Sequence, residues 1–448
     1  MSTTSRPRAA RPASPPGITS LTVSGFKSIR EEATIEIAPL TILAGANSSG
    51  KSSIMQPLLL LKQTLEAPYD PGPLLLDGPN IAFTSIDQLL SRDSKHGRAS
   101  ALRIGFTAGQ YLMRMTYRPA ARNKGFEIVE TTVGGQNQTI TVKPNMSGVE
   151  LQNSSSYFKS MAKEFGLPSL DDRLAIERNR CYLQPVVIVG RANGTALHIP
   201  TLPLGQDIAT LPKQALHLPG LRGNPARTYH ASAGGGDYAG VFDKYVAGII
   251  SEWQNTNDDE PLNQLGEDLR KLDLTWKVSA VPLNDTQVEL RVGRLNRPAR
   301  GGARDMVSIA DVGFGVSQTL PVLVALRVAK RGQLVYLEQP EIHLHPRAQV
   351  ALGEILVDAA KRGVRVVAET HSSLLILAIQ SLVAESQVDP KIIRLYWFHR
   401  GEDGCTQIET GRLDAAGAFG QWPEDFDTVL LETQSRYLDA AERRLIAK

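Results

Sequence analysis

One segment, residues 40–54, constrains the fold of this chain more than any other. Its first part, Leu40 to Ala44, is an apolar run with β-branched residues, long enough for one buried parallel strand. The next eight residues, Gly45 to Ser52, read GANSSGKS and match the pattern G-x-x-x-x-G-K-[ST] at every fixed position. The glycines let consecutive backbone N–H groups point at one spot, where the following helix adds the positive end of its dipole. The segment therefore predicts a strand, a phosphate-binding loop and a helix, in that order.

Two side chains of this segment carry the predicted chemistry. Lys51 can reach the β- and γ-phosphates of a nucleotide, and the hydroxyl of Ser52 can hold Mg²⁺. From Ser53 to Leu65 apolar residues recur at helical spacing, which predicts the helix. Pro57 falls in its first turn or just beyond, where a slight kink would accommodate it.

The composition excludes several classes of protein. A chain of 448 residues with 42% hydrophobic residues is typical of a globular protein of two or three domains. The sequence has no run of about 18 uncharged apolar residues, so no membrane span is expected. Cys181 and Cys405 are too few for a disulfide framework or a zinc cluster, which favours a reducing cytoplasm. The net charge of +3 permits contact with nucleic acid without arguing for it.

Periodicity divides the rest of the chain into two kinds of structure. Short alternating runs between residues 101 and 143 predict an antiparallel sheet. Other elements predicted before residue 305 are strands at 18–26, 33–37, 185–189, 274–281 and 286–292, and a helix at 238–253. Later elements alternate: helix 315–330, strand 333–338, helix 347–362, strand 364–369, helix 372–386 and strand 392–398. That alternation predicts a parallel α/β sheet with right-handed crossovers.

Two strand ends in the C-terminal part supply the residue types that the loop lacks. Hydrolysis of a nucleotide needs a carboxylate that holds Mg²⁺ and usually another that polarises water. The strand at 333–338 ends in Glu338, with Gln339 and Glu341 just beyond it. The next strand is followed by His371, which would be well placed to contact a γ-phosphate. Because ligands of open α/β sheets bind at the carboxyl ends of strands, these residues are expected to face the loop.

Four segments together carry a resemblance to a known family. They are Gly25–Ser28 (GFKS), Gly45–Ser52, Glu338–Pro346 (EQPEIHLHP) and Glu369–Ser372 (ETHS). In this combination the chain resembles the ABC-type ATPases of the OLD/RecF/Rad50-like group, over about 19–95 and 305–430. One branch of that group also carries a GFGVSQ segment and a C-terminal WPxxF segment, and both occur here, at 313–318 and 422–426.

The resemblance implies a fold and a domain organisation. The expected fold is α/β, an ABC-type ATPase head with a mixed sheet core and an inserted antiparallel β and helical region. The expected segments are a disordered tail at 1–17, the first part of the ATPase domain at 18–100, the inserted region at 101–304 and the second part of the ATPase domain at 305–448.

The resemblance also assigns site residues, with ATP and Mg²⁺ as the ligands. The implied phosphate-loop residues are Gly45, Asn47, Ser49, Gly50, Lys51, Ser52 and Ser53. Ser52 and Glu338 would hold Mg²⁺, and His371 would be the switch histidine. Gln339 stands where many ABC-type ATPases have the catalytic Glu. Because an amide orients water but cannot accept its proton, either Glu341 substitutes or hydrolysis is slow.

A further segment, Asp311 to Gln318, resembles the signature segment of ABC-type ATPases. Gly313, Gly315 and Ser317 would then meet the γ-phosphate bound to a second subunit. The resemblance therefore implies a homodimer with two ATP molecules at a twofold interface. The family often pairs such ATPases with a separate effector, a nuclease or a toxin, and DNA or RNA is a further candidate partner. No membrane partner is expected.

Several functions remain open at this point. The first is an ATPase that dimerises on ATP and regulates an effector or a nucleic-acid transaction, in phage defence or DNA maintenance. The second is an ATP-gated scaffold with very slow turnover, which Gln339 favours. The third is a stand-alone metal-dependent nuclease built on Glu338, Glu341 and the pair His343 and His345. A membrane-exporter ATPase is disfavoured by the long segment between the two clusters of motifs.

Overall fold

The computed structural model describes most of the chain. The described residues are 17–93, 97–121, 125–135, 138–164, 173–190, 196–201, 206–232, 234–256, 259–297, 304–420, 432 and 435–439. The predicted tail, apart from Gly17, and the WPxxF segment at 422–426 lie outside the described residues.

The strands are numbered in chain order. The first nine are β1 (Ser20–Ser24), β2 (Ala33–Glu36), β3 (Leu40–Gly45), β4 (Arg92–Asp93), β5 (Gly97–Arg98), β6 (Leu102–Ala108), β7 (Tyr111–Pro119), β8 (Phe126–Gly135) and β9 (Gln138–Val142). The next eight are β10 (Leu174–Asn179), β11 (Tyr182–Gly190), β12 (Ala196–Pro200), β13 (Leu216–Leu218), β14 (Tyr229–His230), β15 (Val278–Pro282), β16 (Gln287–Gly293) and β17 (Met306–Ser308). The remaining strands are β18 (Leu334–Glu338), β19 (Arg365–Thr370), β20 (Ile393–Arg400) and β21 (Thr406–Gly411).

The helices are numbered in the same way. They are α1 (Lys51–Glu66), α2 (Gly148–Ser154), α3 (Ser156–Glu164), α4 (Gln206–Thr210), α5 (Val246–Asn255), α6 (Asp259–Lys271), α7 (Phe314–Val328), α8 (Pro346–Lys361) and α9 (Ser373–Ala384). Among the described residues, none of these helices is both long enough and apolar enough to span a membrane.

The central sheet has the order β13-β18-β19-β3-β20-β21 and is parallel except for β21. Its parallel strands alternate with α7, α8 and α9, so the predicted α/β rhythm is confirmed. Successive side chains of β18 point into different cores: Tyr336 belongs to one hydrophobic cluster and Leu337 to the other. Both faces of the sheet are therefore covered, as is typical of parallel sheets.

The second large sheet is antiparallel and has the order β2-β1-β6-β7-β8-β9. The first hydrophobic core lies between this sheet and the central one, and it encloses α1. Leu58, Leu59, Leu60 and Leu61 of α1 are each at most 1% exposed, and burial of each such side chain stabilises the fold by about 2 kcal/mol. The helix continues through Pro57.

Strand pairing crosses both expected domain boundaries, at residues 100 and 304. The division of the chain at these two residues stays a prediction. Strand β1 pairs with β6, and β16 pairs with β17. From within the expected insertion, β13 joins the central sheet beside β18.

The helix predicted at 238–253 is only partly correct. The structure has a 3-10 turn at Phe242–Tyr245 and then α5. Gly240 has a φ of 71° and Val241 is extended, which keeps the preceding residues out of the helix.

Candidate functional site

Two glycines shape the loop between β3 and α1. Gly45 has a φ of 143°, and a Cβ there would lie 2.2 Å from the carbonyl oxygen of Phe398. Gly50 has a φ of 103°, and a Cβ there would lie 2.1 Å from Oγ1 of Thr406. A side chain at either position would be strained and would collide with β20 or β21. The loop backbone can therefore curl tightly, and α1 begins directly after it at Lys51.

Lys51 and Ser49 supply polar groups suited to phosphate. Lys51 is 6% exposed, and its ammonium donates to the carbonyl oxygens of Gly45 at 3.0 Å and Ala46 at 2.8 Å. Burial lowers the pKa of Lys51, and the charges of Glu369 and Glu341 oppose that shift. The Ser49 hydroxyl is buried and has no hydrogen-bond partner among the residues that the structure describes. A held ammonium, an unpartnered hydroxyl and the start of a helix fit a nucleotide phosphate.

A cleft of about 370 Å³ lies beside the loop. Its lining from the predicted site comprises Asn47, Ser49, Gly50, Lys51, Ser52, Ser53, Gln339 and His371. Residues without a predicted role also line it: Lys27, Ser28, Ser48, Gln56, Glu369 and Arg400. The loop is thus joined by residues from the ends of β18, β19 and β20, as the parallel topology requires.

Glu369, at the end of β19, touches the phosphate loop directly. Its Oε2 accepts a hydrogen bond of 2.8 Å from the hydroxyl of Ser52, and its Oε1 accepts one from the hydroxyl of Tyr336. The residue is 4% exposed. Burial, aided by the charge of Glu338, raises the pKa of Glu369 to about 7, although both hydrogen bonds act in the opposite direction.

Glu338, at the end of β18, is held by groups outside the loop. Its Oε1 lies 3.1 Å from Nε2 of His217, and its Oε2 accepts a 3.1 Å bond from the N–H of Gly220. Because Nδ1 of His217 lies 3.1 Å from the amide nitrogen of Asn80, which also donates to the Gly240 carbonyl, Nε2 carries the proton given to Glu338. Burial acts to raise the pKa of Glu338, but His217 and the Gly220 N–H outweigh it and the net shift is downward.

Glu341 holds the turn after β19. Its Oε1 accepts hydrogen bonds from the Thr370 hydroxyl at 2.7 Å and from the N–H of His371 at 3.0 Å. Its Oε2 is buried without a partner in the described structure, and burial raises the pKa of the carboxyl. His371 itself lines the cleft, and burial together with the charge of Lys51 lowers its pKa. The imidazole is therefore neutral at pH 7.

The described wall of the cleft includes none of Gly313, Gly315 and Ser317, nor Glu338, Glu341 and Gly45. Gly313 caps α7 and is exposed, and the Ser317 hydroxyl donates to the carbonyl oxygen of Phe314 at 3.1 Å. The start of α7 is tied to β18 by Arg222, which donates to the carbonyl oxygens of Gln318 at 2.9 Å and Glu338 at 3.0 Å.

Several residues of the site were not predicted from the sequence. Lys27 lies in the noted GFKS segment and donates to Oε1 of Gln56 at 2.6 Å. Arg400 donates to the carbonyl oxygen of Ser48 at 2.8 Å. Glu369 stands directly before Thr370 and His371, so its position was visible, although its contact with Ser52 was not. His217 gave no local signal at all.

A metal cluster of the nuclease type has no structural support. Within the described ranges, no group of three or more His, Cys, Asp or Glu side chains is arranged to hold a metal ion. His345 instead caps α8, with its Nδ1 3.4 Å from the N–H of Arg347.

Two family models match parts of the chain. Residues 17–167 match the model described as an AAA ATPase domain. Residues 233–378 match the model described as an AAA domain, putative AbiEii toxin, of a Type IV toxin–antitoxin (TA) system. No curated protein matches the chain.

Solved structures give the fold. The Smc head bound to the C-terminal winged-helix domain of ScpA is 12% identical, with a TM-score of 0.50 over 90% of this chain and 99% of that chain. The SMC head of Thermotoga maritima is 12% identical (TM-score 0.37, 88% of this chain and 98% of that one). The Pyrococcus furiosus Smc head with an extended coiled coil, bound to the C-terminal domain of ScpA, is 11% identical (TM-score 0.47, 94% and 100%). The first likeness shows an ABC ATPase head fold of the SMC type, and the expected fold class is confirmed.

Proposed function

We propose that this chain binds ATP with Mg²⁺ and hydrolyses it slowly, dimerises when ATP is bound, and thereby regulates an effector protein or a nucleic-acid transaction. The single observation that carries the proposal is the cleft that unites the phosphate loop with distant strand ends. Its clearest contact is the 2.8 Å bond between Ser52 and Glu369, which are 317 positions apart in sequence. A Gly- and Ser-rich turn with only a structural role would not need acid, amide and imidazole groups gathered around it.

The side chains of the cleft have separate roles in binding and hydrolysing the nucleotide. Lys51 and the N–H groups at the start of α1 bind the phosphates, and the neutral imidazole of His371 can donate a hydrogen bond to the γ-phosphate. Ser52, together with a carboxylate from the end of β18 or β19, would hold Mg²⁺. The metal, when bound, neutralises charge that develops on the phosphate oxygens. Gln339 lines the cleft and can orient the attacking water.

Slow hydrolysis of ATP is expected because neither Gln339 nor Glu341 is suited to accept a proton from the attacking water. Gln339 cannot accept a proton from the attacking water. Glu341 is 7% exposed, and its Oε1 already accepts two hydrogen bonds from the turn that carries His371. Glu341 therefore acts as a positioning residue for His371, which supports the ATP-gated scaffold as the second candidate function.

Dimerisation is supported by the exposed start of α7. Gly313 is exposed, the Phe314 side chain is 50% exposed, and Ser317 is half-buried, so this segment is free to meet a second copy. We propose a twofold dimer in which Gly313, Gly315 and Ser317 face the ATP bound to the other subunit. The subgroup resemblance and the description of the matched model as a putative toxin support a role in bacterial phage defence or DNA maintenance, in the cytoplasm. An effector such as a nuclease or toxin is the proposed partner.

The decisive experiment replaces the loop lysine. Lys51→Ala should abolish ATP binding and ATP-induced dimerisation, because it removes the ammonium that contacts the phosphates. ATP binding is measured by equilibrium titration, and dimerisation by the solution mass with and without ATP. Lys361→Ala, an exposed lysine in the last turn of α8, is the matched control and should behave as the wild type. Unchanged ATP binding and turnover in Lys51→Ala would remove the proposal.

A second variant separates the ATPase from the scaffold. Gln339→Glu places a proton acceptor at the mouth of the cleft, so phosphate release should rise at least about tenfold. The measurement is single-turnover hydrolysis at saturating ATP. If the rate does not change, proton acceptance at this position does not limit turnover.

A further inference from the structure

The ends of β18 and β19 offer two carboxylates to one site. Glu338 and Glu369 are paired across the two parallel strands, so their backbones lie side by side. The two side chains point the same way out of the sheet, because paired residues of neighbouring strands share a face. Only one of them touches the phosphate loop.

Glu369 already makes the contact that a Mg²⁺ site needs. Mg²⁺ at a phosphate loop is held by the Ser or Thr hydroxyl, phosphate oxygens and one or two carboxylates, directly or through water. The Ser52 hydroxyl and Glu369 Oε2 are 2.8 Å apart, and both residues line the cleft. Close to them, the buried Ser49 hydroxyl has no partner in the described part of the chain.

Glu338 is committed elsewhere. Each of its oxygens already has a donor, Nε2 of His217 and the N–H of Gly220, both at 3.1 Å, and the carboxylate also contacts the hydroxyl of Tyr336. His217 is fixed in turn: it is 1% exposed and stacks on Tyr336 with ring centroids 5.3 Å apart. To reach Ser52, Glu338 would have to leave two hydrogen bonds, both charge-assisted because the carboxylate is the acceptor.

We infer that Glu369 is the carboxylate that holds Mg²⁺ with Ser52, and that Glu338 is a positioning residue that fixes the end of β18 against His217 and Gly220. This assignment rests on the proposed function, because it presumes that the loop binds a nucleotide. It moves the metal-linked acid from the end of β18 to the end of β19, one strand closer to β3. Tyr336 supports it as the second donor to Glu369.

The test compares two isosteric variants of the full chain, Glu369→Gln and Glu338→Gln. The affinity for ATP is measured by equilibrium titration with saturating Mg²⁺ and again in EDTA, and the ratio of the two affinities reports the metal. Glu369→Gln should lower this ratio about tenfold or more, while its affinity in EDTA stays within about twofold of the wild type. Glu338→Gln should keep the ratio within about threefold. Mn²⁺ binding in the presence of ATP, followed by electron paramagnetic resonance, should rank the variants in the same order.

Three outcomes overturn parts of this account, and they differ from one another. A ratio that collapses in Glu338→Gln but not in Glu369→Gln reverses the assignment. An equal loss in both variants overturns the assignment to Glu369. Wild-type protein that binds no ATP in either buffer removes the proposed function itself. If Glu369→Gln fails to fold, as judged by thermal melting, Glu369→Asp replaces it, since the shorter carboxylate should keep the fold and lose part of the ratio.

Discussion

The ends of β18 and β19 present the same residue type in two opposite environments. Glu338 accepts bonds from His217 and Gly220, which hold its pKa below the ordinary value. Glu369 is buried against Ser52 and Tyr336, and its pKa is raised to about 7. The order of the strands explains the difference. Strand β18 borders the short β13, which carries His217, whereas β19 borders β3, which leads into the phosphate loop.

The comparison teaches that a carboxylate's role depends on the neighbouring strand as much as on its own motif. Glu338 stands where a nucleotide-binding motif expects the metal-linked acid, yet the edge strand beyond it supplies donors for both of its oxygens. Glu369 has no such donors from β13 and faces the loop instead. Measurements of stability in the absence of nucleotide and metal can test this contrast.

The largest expected effect is the opposite pH dependence of the two carboxylates. The pKa of Glu369 rises from 4.5 to about 7 on folding, so between these values the native state keeps a proton that the unfolded state has lost. Stability contributed by this group is therefore full below pH 4.5 and is lost as the pH rises towards 7, by on the order of 3 kcal/mol. Glu369→Gln should remove that loss, so the variant gains stability relative to wild type between pH 5 and pH 8. Urea unfolding in EDTA at several pH values measures it.

Glu338→Gln is the matched control for this measurement, and its sign is reversed. Because the pKa of Glu338 is lowered in the folded state, its contribution is present above the ordinary value of 4.5 and is lost as the pH falls through the lowered value. The variant should therefore be less stable than wild type at pH 7, and the difference should shrink in acid. Parallel pH profiles for both variants would contradict the contrast.

A smaller effect is expected when His217, the side chain that contacts Glu338 from β13, is replaced. His217→Ala removes a donor to Glu338 and opens a cavity beside Tyr336, which should lower the free energy of unfolding by about 2–3 kcal/mol. In a double-mutant cycle with Glu338→Gln, the coupling should be about 1–2 kcal/mol. His230→Ala, an exposed position in β14, is the control and should change stability by less than about 0.5 kcal/mol. A coupling near zero would mean that His217 does not hold Glu338.

The local elements of this site could be predicted from the sequence, whereas its long-range contacts could not. The strand before the loop was expected to end at Ala44 and ends at Gly45, and the strand expected at 333–338 spans Leu334–Glu338. Apolar runs, glycines and flanking helical patterns in the sequence predict these elements. They are therefore predictable from one sequence.

His217 illustrates what could not be predicted. It lies on a strand of three residues, 121 positions before Glu338, and nothing in its neighbours marks it as part of the central sheet. The same holds for β1, whose alternation predicted a strand but not that its partner would be β6. The start of α2 differs from these cases, because its capping box of Ser147 and Glu150 is a local pattern that is visible in the sequence.

The smallest expected effect is that of Tyr336→Phe. The phenol hydroxyl donates to Glu369 and stabilises its ionised form, so its removal should raise the pKa of Glu369 further. The pH range over which the wild type loses stability should then extend upward, and the free energy of unfolding at pH 8 should fall by about 1 kcal/mol. Phenylalanine keeps the ring that stacks on His217, and Glu338 keeps its donors His217 and Gly220 while it loses the contact with the Tyr336 hydroxyl. If the variant follows the wild-type pH profile, the hydroxyl does not tune Glu369. If it instead mimics Glu338→Gln, Tyr336 acts on β18 rather than on β19.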